Sequence, residues 1–301
     1  MNLQYIRYAL EISRTGSISK AAENLSVAQP NLSRAVKELE ANLGISIFDR
    51  TRTGMTVTPE GEKLLTAGEK LLRDVAQLET MFIGETEPLQ SCSVMTPPSY
   101  YASLAFLSYS LALPATGRFD LRLTVGDTAE AMDQVANGDC KLAVIRVPLH
   151  FEKYYSEKLS ARGLKQETVL EFTPVVLAGL GSPLASCETV GQEDLAKLWE
   201  LNYSGSPRPD LGETGTPSRL DITIGDAATR YDILTSSPEA YLFDTPMPPA
   251  DAARKGLIQR PVATATRFKD LLICRGDDRL APIDEAFIRA LKGAVRAISA
   301  Q

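Results

Sequence analysis

The sequence predicts an N-terminal α-rich winged helix-turn-helix, a long linker helix, and then a two-lobed α/β domain. Three observations carry that prediction. Two amphipathic helical patterns meet at a tight turn within residues 17–43 and are followed by an alternating hairpin. Apolar residues then step by four and three from Leu64 to Phe82. Beyond Pro88, strand patterns alternate with helical ones, which argues for α/β layers with parallel strands. The expected domains are 1–58, 59–88 and 89–301. The last divides into lobe 1 (89–148 and 268–301) and lobe 2 (149–267).

Leu3, Ile6, Ala9 and Leu10 make a first helix, which Gly16 stops. Ile18, Ala21, Ala22 and Leu25 fall at i, i+3, i+4 and i+7 and line one face of a second. After Ser26 and Val27 a third begins, with Pro30 in its first turn, where a missing N–H costs nothing. Its inner face is expected to carry Leu32, Val36, Leu39 and Leu43. Gln29, Asn31, Ser33 and Arg34 then point outward at the N-terminal end, with Lys37 one turn on. Gln, Asn and Arg match the donor and acceptor patterns of base edges, and recognition helices present their N-terminal residues to the major groove. Ile45–Phe48 alternates apolar and polar, Asp49–Gly54 is a polar tip, and Met55–Thr58 returns as a strand. Arg50 and Arg52 near this tip are candidates for the DNA backbone or minor groove. A helical hairpin by itself is more often plain core, so the three-helix support and the wing are what make this a DNA reader.

With Thr58 as cap and Pro59 as first residue, a helix is expected to run to about Phe82 or Ile83. Leu64, Gly68, Leu71, Val75, Leu78 and Phe82 have the spacing of a coiled-coil seam, so the helix is expected to dimerise. The competing reading is a lone amphipathic helix on its own domain. Gly84–Pro88 reads as a hinge.

Ser93–Met95, Leu121–Val125 and Leu142–Ile145 are expected strands, with helices at Ser99–Leu113 and Thr128–Asn137 between them. Leu104, Leu107 and Leu111 share one face of the first helix. Ligands of such sheets lie at the carboxyl ends of the strands. Those ends bring together Thr96, Ser99, Tyr100, Thr128 and Arg146, and the two hydroxyls at helix starts suit a carboxylate or phosphate. Any one Ser or Thr there is as readily a simple N-cap. Lobe 2 is expected from Phe151 to Thr266, with crossovers near Val147–Leu149 and Arg267–Phe268. Its strands are 173–179, 222–224 and 241–243, with a helix over Gln192–Glu200 and a short strand and loop at Leu201–Ser204. Tyr203, Ser204 and Asp226 are candidates for the opposite wall of the cleft, against the equally good reading of ordinary surface residues. Leu271–Cys274 returns to the first sheet, and a helix with Phe287, Leu291, Val295 and Ile298 inward closes the chain. The Pro/Gly-rich segment 206–218 reads as an exposed loop.

Taken together, Ala21-Ala22, Leu25, Gln29-Pro30, Leu32-Ser33, Leu39-Glu40, Leu43-Gly44, Phe48-Asp49-Arg50 and Thr58-Pro59-Glu60-Gly61 resemble the LysR-type transcriptional regulators. Ala28 departs from that pattern, since many members place Ser or Thr there as the cap of the recognition helix. The resemblance implies a dimerising linker helix and a two-lobed effector domain related to periplasmic binding proteins, whose pocket uses positions aligned with Ser99, Tyr100 and Thr128. It implies a homodimer, or a dimer of dimers, on double-stranded promoter DNA, with RNA polymerase as a further candidate partner and a small molecule in the cleft; Tyr100, Arg146 and the two hydroxyls, rather than the resemblance, favour a carboxylate. Two alternatives stand beside it: a redox-sensing regulator of the same family, and a cytoplasmic solute-binding module that does not bind DNA.

The 301-residue length suits two or three domains, and the apolar content of 44% is ordinary for a globular chain. The net charge of −6 opposes nonspecific coating of nucleic acid, yet residues 1–58 hold seven basic and five acidic residues, a modestly basic module on an acidic body. No signal-peptide pattern or long apolar run is evident, so no membrane partner and a cytoplasmic location are expected. Cys92, Cys140, Cys187 and Cys274 lack C-x-x-C spacing, as reduced thiols would. His150 is the sole histidine, and no P-loop or dinucleotide fingerprint occurs. No enzyme activity, cofactor or metal is therefore expected.

Overall fold

A computed structural model describes residues 2–51, 54–82, 89–211 and 219–299. The chain divides into two compact units, Met1–Leu89 and Gln90–Gln301.

The first unit holds α1 (Leu3–Thr15), α2 (Ile18–Asn24), α3 (Gln29–Leu43), the hairpin β1 (Phe48–Thr51) and β2 (Gly54–Val57), and α4 (Pro59–Phe82). Gly16 ends α1 in the left-handed region at φ 65°, and Ser17 then caps α2 by accepting the Lys20 N–H. Ala28 provides no side-chain cap for α3, which starts with Pro in its first turn. Ile6, Ala9, Ile12, Ala21, Ala22, Leu32, Val36, Leu39, Ile47 and Phe48 form the core. Leu43, expected inside, is the last residue of α3 and is 40% exposed. The hairpin is antiparallel, with Phe48 opposite Val57 and Arg50 opposite Met55. Two contacts hold the hairpin: at its base Glu40 Oε1 accepts the Ile47 N–H at 2.8 Å, and nearer its turn the Met55 N–H donates to Gly16 O at 2.9 Å. A Cβ on Gly54 would meet Gly16 O at 2.5 Å, so only glycine allows that approach. Thr58 caps α4, accepting the Gly61 N–H at 2.9 Å while donating to Ser46 O at 2.6 Å.

The second unit has two five-stranded sheets. The first is built from β3 (Leu89–Thr96), α5 (Tyr100–Leu111), β4 (Arg118–Val125), α6 (Thr128–Asn137), β5 (Leu142–Pro148), α7 (Glu152–Ala161) and β6 (Leu164–Phe172). The other sheet takes β7 (Val175–Gly179), α8 (Gln192–Leu195), β8 (Trp199–Asn202), β9 (Leu220–Thr223), α9 (Ala227–Ser236), β10 (Ala240–Asp244), α10 (Pro249–Arg254) and β11 (Leu257–Pro261). The chain returns through β12 (Phe268–Arg275) and closes with α11 (Pro282–Ser299). Strand orders are β4-β3-β5-β12-β6 and β11-β7-β10-β8-β9. Both sheets are mixed rather than parallel throughout: β3 runs parallel to β5, whereas β12 is antiparallel to β5 and β6, and β7 is antiparallel to β10 and β11.

The lobe boundary is corrected by β6. It pairs with β12 along its length, so residues 149–172 belong to lobe 1 and the first crossover lies between Phe172 and Val175, not at 147–149. The strand ends its sheet and its sequence Leu-Lys-Gln-Glu-Thr-Val-Leu-Glu-Phe is mostly polar, as edge strands are, which hid it from a hydropathy reading. The second crossover near Arg267–Phe268 stands where expected. The helix expected over Gln192–Glu200 ends at Leu195, and Trp199 and Glu200 already belong to β8. The leucine face of α5 is also inverted: Tyr101, Ala102, Ala105 and Tyr109 are buried, while Leu107 and Leu111 are 54% and 78% exposed. Phe287 and Leu291 of α11 are fully buried against α5, as the closing-helix pattern predicts.

Candidate DNA interface and effector cleft

The buried residues Leu32, Ala35, Val36 and Leu39 fix the inner face of α3, and this dictates what its other face presents. Gln29, Pro30, Asn31, Arg34 and Lys37 are exposed and Ser33 is half-buried. Ser19 Oγ donates to Gln29 Oε1 at 3.3 Å, linking α2 to the first residue of α3. Arg34 and Lys37 form no ion pair among the described residues. Two acidic side chains of this unit have other partners: Glu11 holds Arg14 at 2.7 Å and Asn24 at 2.6 Å, which keep its carboxyl down at about 2, and Glu38 accepts from Tyr5. The N-terminal end of α3 is thus a polar, cationic surface on a rigid support. Arg50 lies in β1, but its side chain and the whole of Arg52 fall outside the described residues.

Along α4, Gly61, Leu65 and Gly68 are buried against the first unit's core. A Cβ on Gly68 would lie 2.5 Å from Ile6 Cγ2, so this glycine serves the approach to α1 rather than an external seam. Leu64, Leu71 and Val75 are half-buried and Leu78 is 55% exposed; the Phe82 side chain is outside the described residues.

In the second unit Arg146 comes from the central strand β5 and is buried. Its Nε and Nη2 donate to the two carboxylate oxygens of Asp270, each at 2.8 Å, and Nη1 donates to Pro98 O at 3.3 Å. Tyr101 donates to the same carboxylate at 2.7 Å, and the Phe172 ring centre lies 4.8 Å from the guanidinium. Burial works against the charge on Arg146, but Asp270 outweighs it and the pKa is raised. Arg146 therefore has its counter-ion within the protein. Thr128 Oγ1 donates to Arg146 O at 2.9 Å, and Asp127, not Thr128, caps α6. Thr96 is buried, its carbonyl accepting the Gly126 N–H. Ser99 stands at the start of α5, 8% exposed, with no cap bond and no partner for Oγ. Of the predicted lobe 1 hydroxyls, this one is unsatisfied.

Tyr100 reaches the other lobe. It packs against the cluster of Leu177, Leu234 and Leu242, and Lys255 Nζ lies 5.5 Å from its ring and 4.8 Å from that of Tyr231. Burial, then Asp251, pushes the Tyr100 hydroxyl up. Tyr203 makes the reverse crossing, donating to Val125 O at 2.9 Å. Asp226 caps α9 through the Thr229 N–H at 2.8 Å, and Ser204 is exposed. Thr96, Ser99, Tyr100, Thr128 and Arg146 thus lie at or just beyond the carboxyl ends of β3, β4 and β5, and Tyr203 reaches the end of β4, while Asp226 acts as a cap. Sequence reasoning missed Tyr101, Asp270, Asp244, Arg230 and Tyr231. Asp270 was signalled as a carboxylate inside an apolar run, Phe268-Lys269-Asp270-Leu271-Leu272; α9, which carries Arg230, gave no clear amphipathic pattern. Among the described residues no cluster of His, Cys, Asp and Glu could hold a metal, and no helix is long and apolar enough to cross a membrane.

Residues 3–62 match the family model of bacterial regulatory helix-turn-helix proteins of the lysR family. Two relatives from Bacillus subtilis are 30% identical. One is named as an uncharacterized HTH-type transcriptional regulator, YcgK, aligned over 59% of this chain and 52% of its own length. The other is the HTH-type transcriptional regulator GltR, with 56% of each chain covered. The chain thus spans about half the length of these curated relatives. Full-length CbnR, solved in complex with its target DNA, shares the fold with a TM-score of 0.65 at 18% identity, covering 98% of this chain and 100% of that one.

Proposed function

We propose that the chain is a DNA-binding transcriptional regulator of the LysR type, a reading supported by the lysR-family helix-turn-helix at residues 3–62. It binds promoter DNA as a homodimer or dimer of dimers and responds to a small molecule, of carboxylate character, between the lobes of its second unit. The observation that carries this reading is the face of α3: Leu32, Val36 and Leu39 lock the helix into a core while Gln29, Asn31, Arg34 and Lys37 stay exposed at its N-terminal end. Arg50 and Arg52 on the wing add backbone or minor-groove contacts. Self-association is supported by Leu78, exposed on α4 in step with Leu64, Leu71, Val75 and Phe82, and by the exposed Leu107 and Leu111 of α5. A dimer presents two recognition helices to two half-sites, and RNA polymerase is the partner through which transcription would change.

Arg34→Ala tests the reader. If Arg34 makes a bidentate base contact, its loss weakens operator binding by about 1–3 kcal/mol and relaxes sequence preference. Unchanged affinity and preference in a mobility-shift titration would remove Arg34 from that role.

The effector reading rests on Ser99 and on the two tyrosines that cross between lobes. Cysteine oxidation has less support as the input. Cys92 and Cys140 are 1% and 5% exposed, and burial, with Asp284 second, pushes the Cys92 thiol to about 12, where the reactive thiolate is scarce.

A further inference from the structure

The packing of α2 on α3 brings together two side chains that are far apart in sequence. Ala21 and Ala22 of α2 and Leu32, Val36 and Leu39 of α3 share one buried core, with Ile18 packed against it. The turn between the helices is held by its own backbone. The Val27 N–H donates to Ala22 O and the Ser26 N–H to Glu23 O, each at 3.0 Å, and Ser26 takes the left-handed region at φ 53°. The Asn31 and Leu32 N–H groups both donate to Ala28 O, so the first turn of α3 is fixed as well. On this frame Ser19 and Gln29, ten positions apart and both exposed, meet. Ser19 Oγ donates to Gln29 Oε1 at 3.3 Å, the one hydrogen bond of the Gln29 side chain among the described residues.

A glutamine amide offers two donors on its nitrogen and an oxygen with two lone pairs. An exposed and unheld glutamine samples many rotamers, and either end of the amide can face outward. The Ser19 hydroxyl takes one lone pair of Oε1 and so decides which end lies toward α2. The second lone pair of Oε1 and both Nε2 hydrogens stay available. Ala28, the residue before Gln29, has no polar side chain to compete for that amide. What remains is an acceptor beside a donor in a fixed order. In the major groove adenine is the base that complements this pair, since its N6 amino group donates and its N7 accepts, whereas guanine shows two acceptors and thymine an acceptor and a methyl group.

We infer that Ser19 is a positioning residue for sequence recognition: it sets the polarity of the Gln29 amide, so that Gln29 reads one adenine through both N6 and N7. This rests on the reading of the α3 face as a DNA reader and adds the base that one of its residues selects. Ser19 acts through Gln29, by reducing the rotamer freedom that the amide loses when it docks on the base. At 3.3 Å the bond is long for a hydroxyl donor. Its effect is therefore that of one ordinary hydrogen bond, about two- to tenfold in affinity, and it falls on a single base pair.

The experiment takes the full chain and a DNA fragment that it retains selectively, and replaces each base pair of the bound site in turn. Affinities are read by mobility shift for wild type, Gln29→Ala, Ser19→Ala and Ser19→Thr, and the melting temperature of each protein is recorded. The position at which Gln29→Ala relaxes the preference is the one that Gln29 reads. The expected result is adenine at that position, with wild-type binding weakened there both by 7-deazaadenine, which lacks the N7 acceptor, and by purine, which lacks the N6 amino group. Ser19→Ala should lower the preference for adenine at that position about two- to tenfold while preferences elsewhere and the melting temperature stay as in wild type. Ser19→Thr, which keeps the hydroxyl, should retain the preference. A Ser19→Ala protein that weakens on every sequence alike, or that keeps every preference, overturns the role of Ser19. Another base at that position, or a Gln29→Ala protein that relaxes no position while Arg34→Ala does, overturns the adenine assignment and leaves the α3 face standing as a reader. Absence of any selectively retained fragment for wild type removes that reading and this inference with it.

Discussion

Arg146 and Asp270 are 124 positions apart in the chain, yet they form its best-enclosed ion pair, with Tyr101 closing the carboxylate. Removing one partner leaves the other charge buried, so Arg146→Met should cost about 3–5 kcal/mol in denaturant unfolding. A loss below about 1 kcal/mol, the value of an exposed pair, would contradict the enclosure described. Asp244 gives a pH signature. Its folded pKa is raised above the ordinary 3.8, so its contribution to stability is full below that value and fades as pH rises through the folded one. Asp244→Asn should therefore gain on wild type in melting temperature as pH rises from about 4 to 7; a constant gap would contradict it. At this scale the sequence showed residue types but not partners. Arg146 reads as a free anion ligand until Asp270 is placed beside it, and no local pattern links the two.

Elements were legible where their signals were local. Gly16, Pro30 and Thr58 mark helix boundaries by backbone chemistry that needs no tertiary context, and the structure keeps each of those boundaries. The face of a helix is a different matter. In α5 the leucines read as the inner stripe, but the small Ala102 and Ala105 with the rings of Tyr101 and Tyr109 pack against α11, and the leucines turn outward. Likewise β6 was lost because an edge strand needs few apolar residues. Two predictions belong here. Ala28 has the extended backbone of a cap, φ −69° and ψ 129°, without a capping side chain; Ala28→Ser should raise stability by about 1 kcal/mol, read by thermal or denaturant unfolding, and no gain would show that the α3 terminus has another partner. Leu78→Asp should shift the chain toward monomer in sedimentation while leaving its unfolding nearly unchanged, since that side chain is mostly exposed. An unaltered oligomer would rule out the α4 seam.

At the scale of the molecule, a mildly basic segment, residues 1–58, precedes an acidic remainder, and the chain divides into two compact units. That organisation was readable because each unit has its own periodicity, 3.6 in the first and alternating strand and helix in the second. The division of the second unit was not, since it depends on which sheet β6 joins. The proposed function requires that the exposed end of α3 read DNA sequence in a paired assembly. The most direct measurement is retention of fragments of the chain's own genome, including the region upstream of its own gene, at several salt concentrations with excess competitor DNA. Selective retention, a two-fold symmetric footprint and affinity that falls steeply with salt are the expected results. Uniform retention, or none with and without metabolite extract, would contradict that function and leave the second unit as a solute-binding module with no working reader.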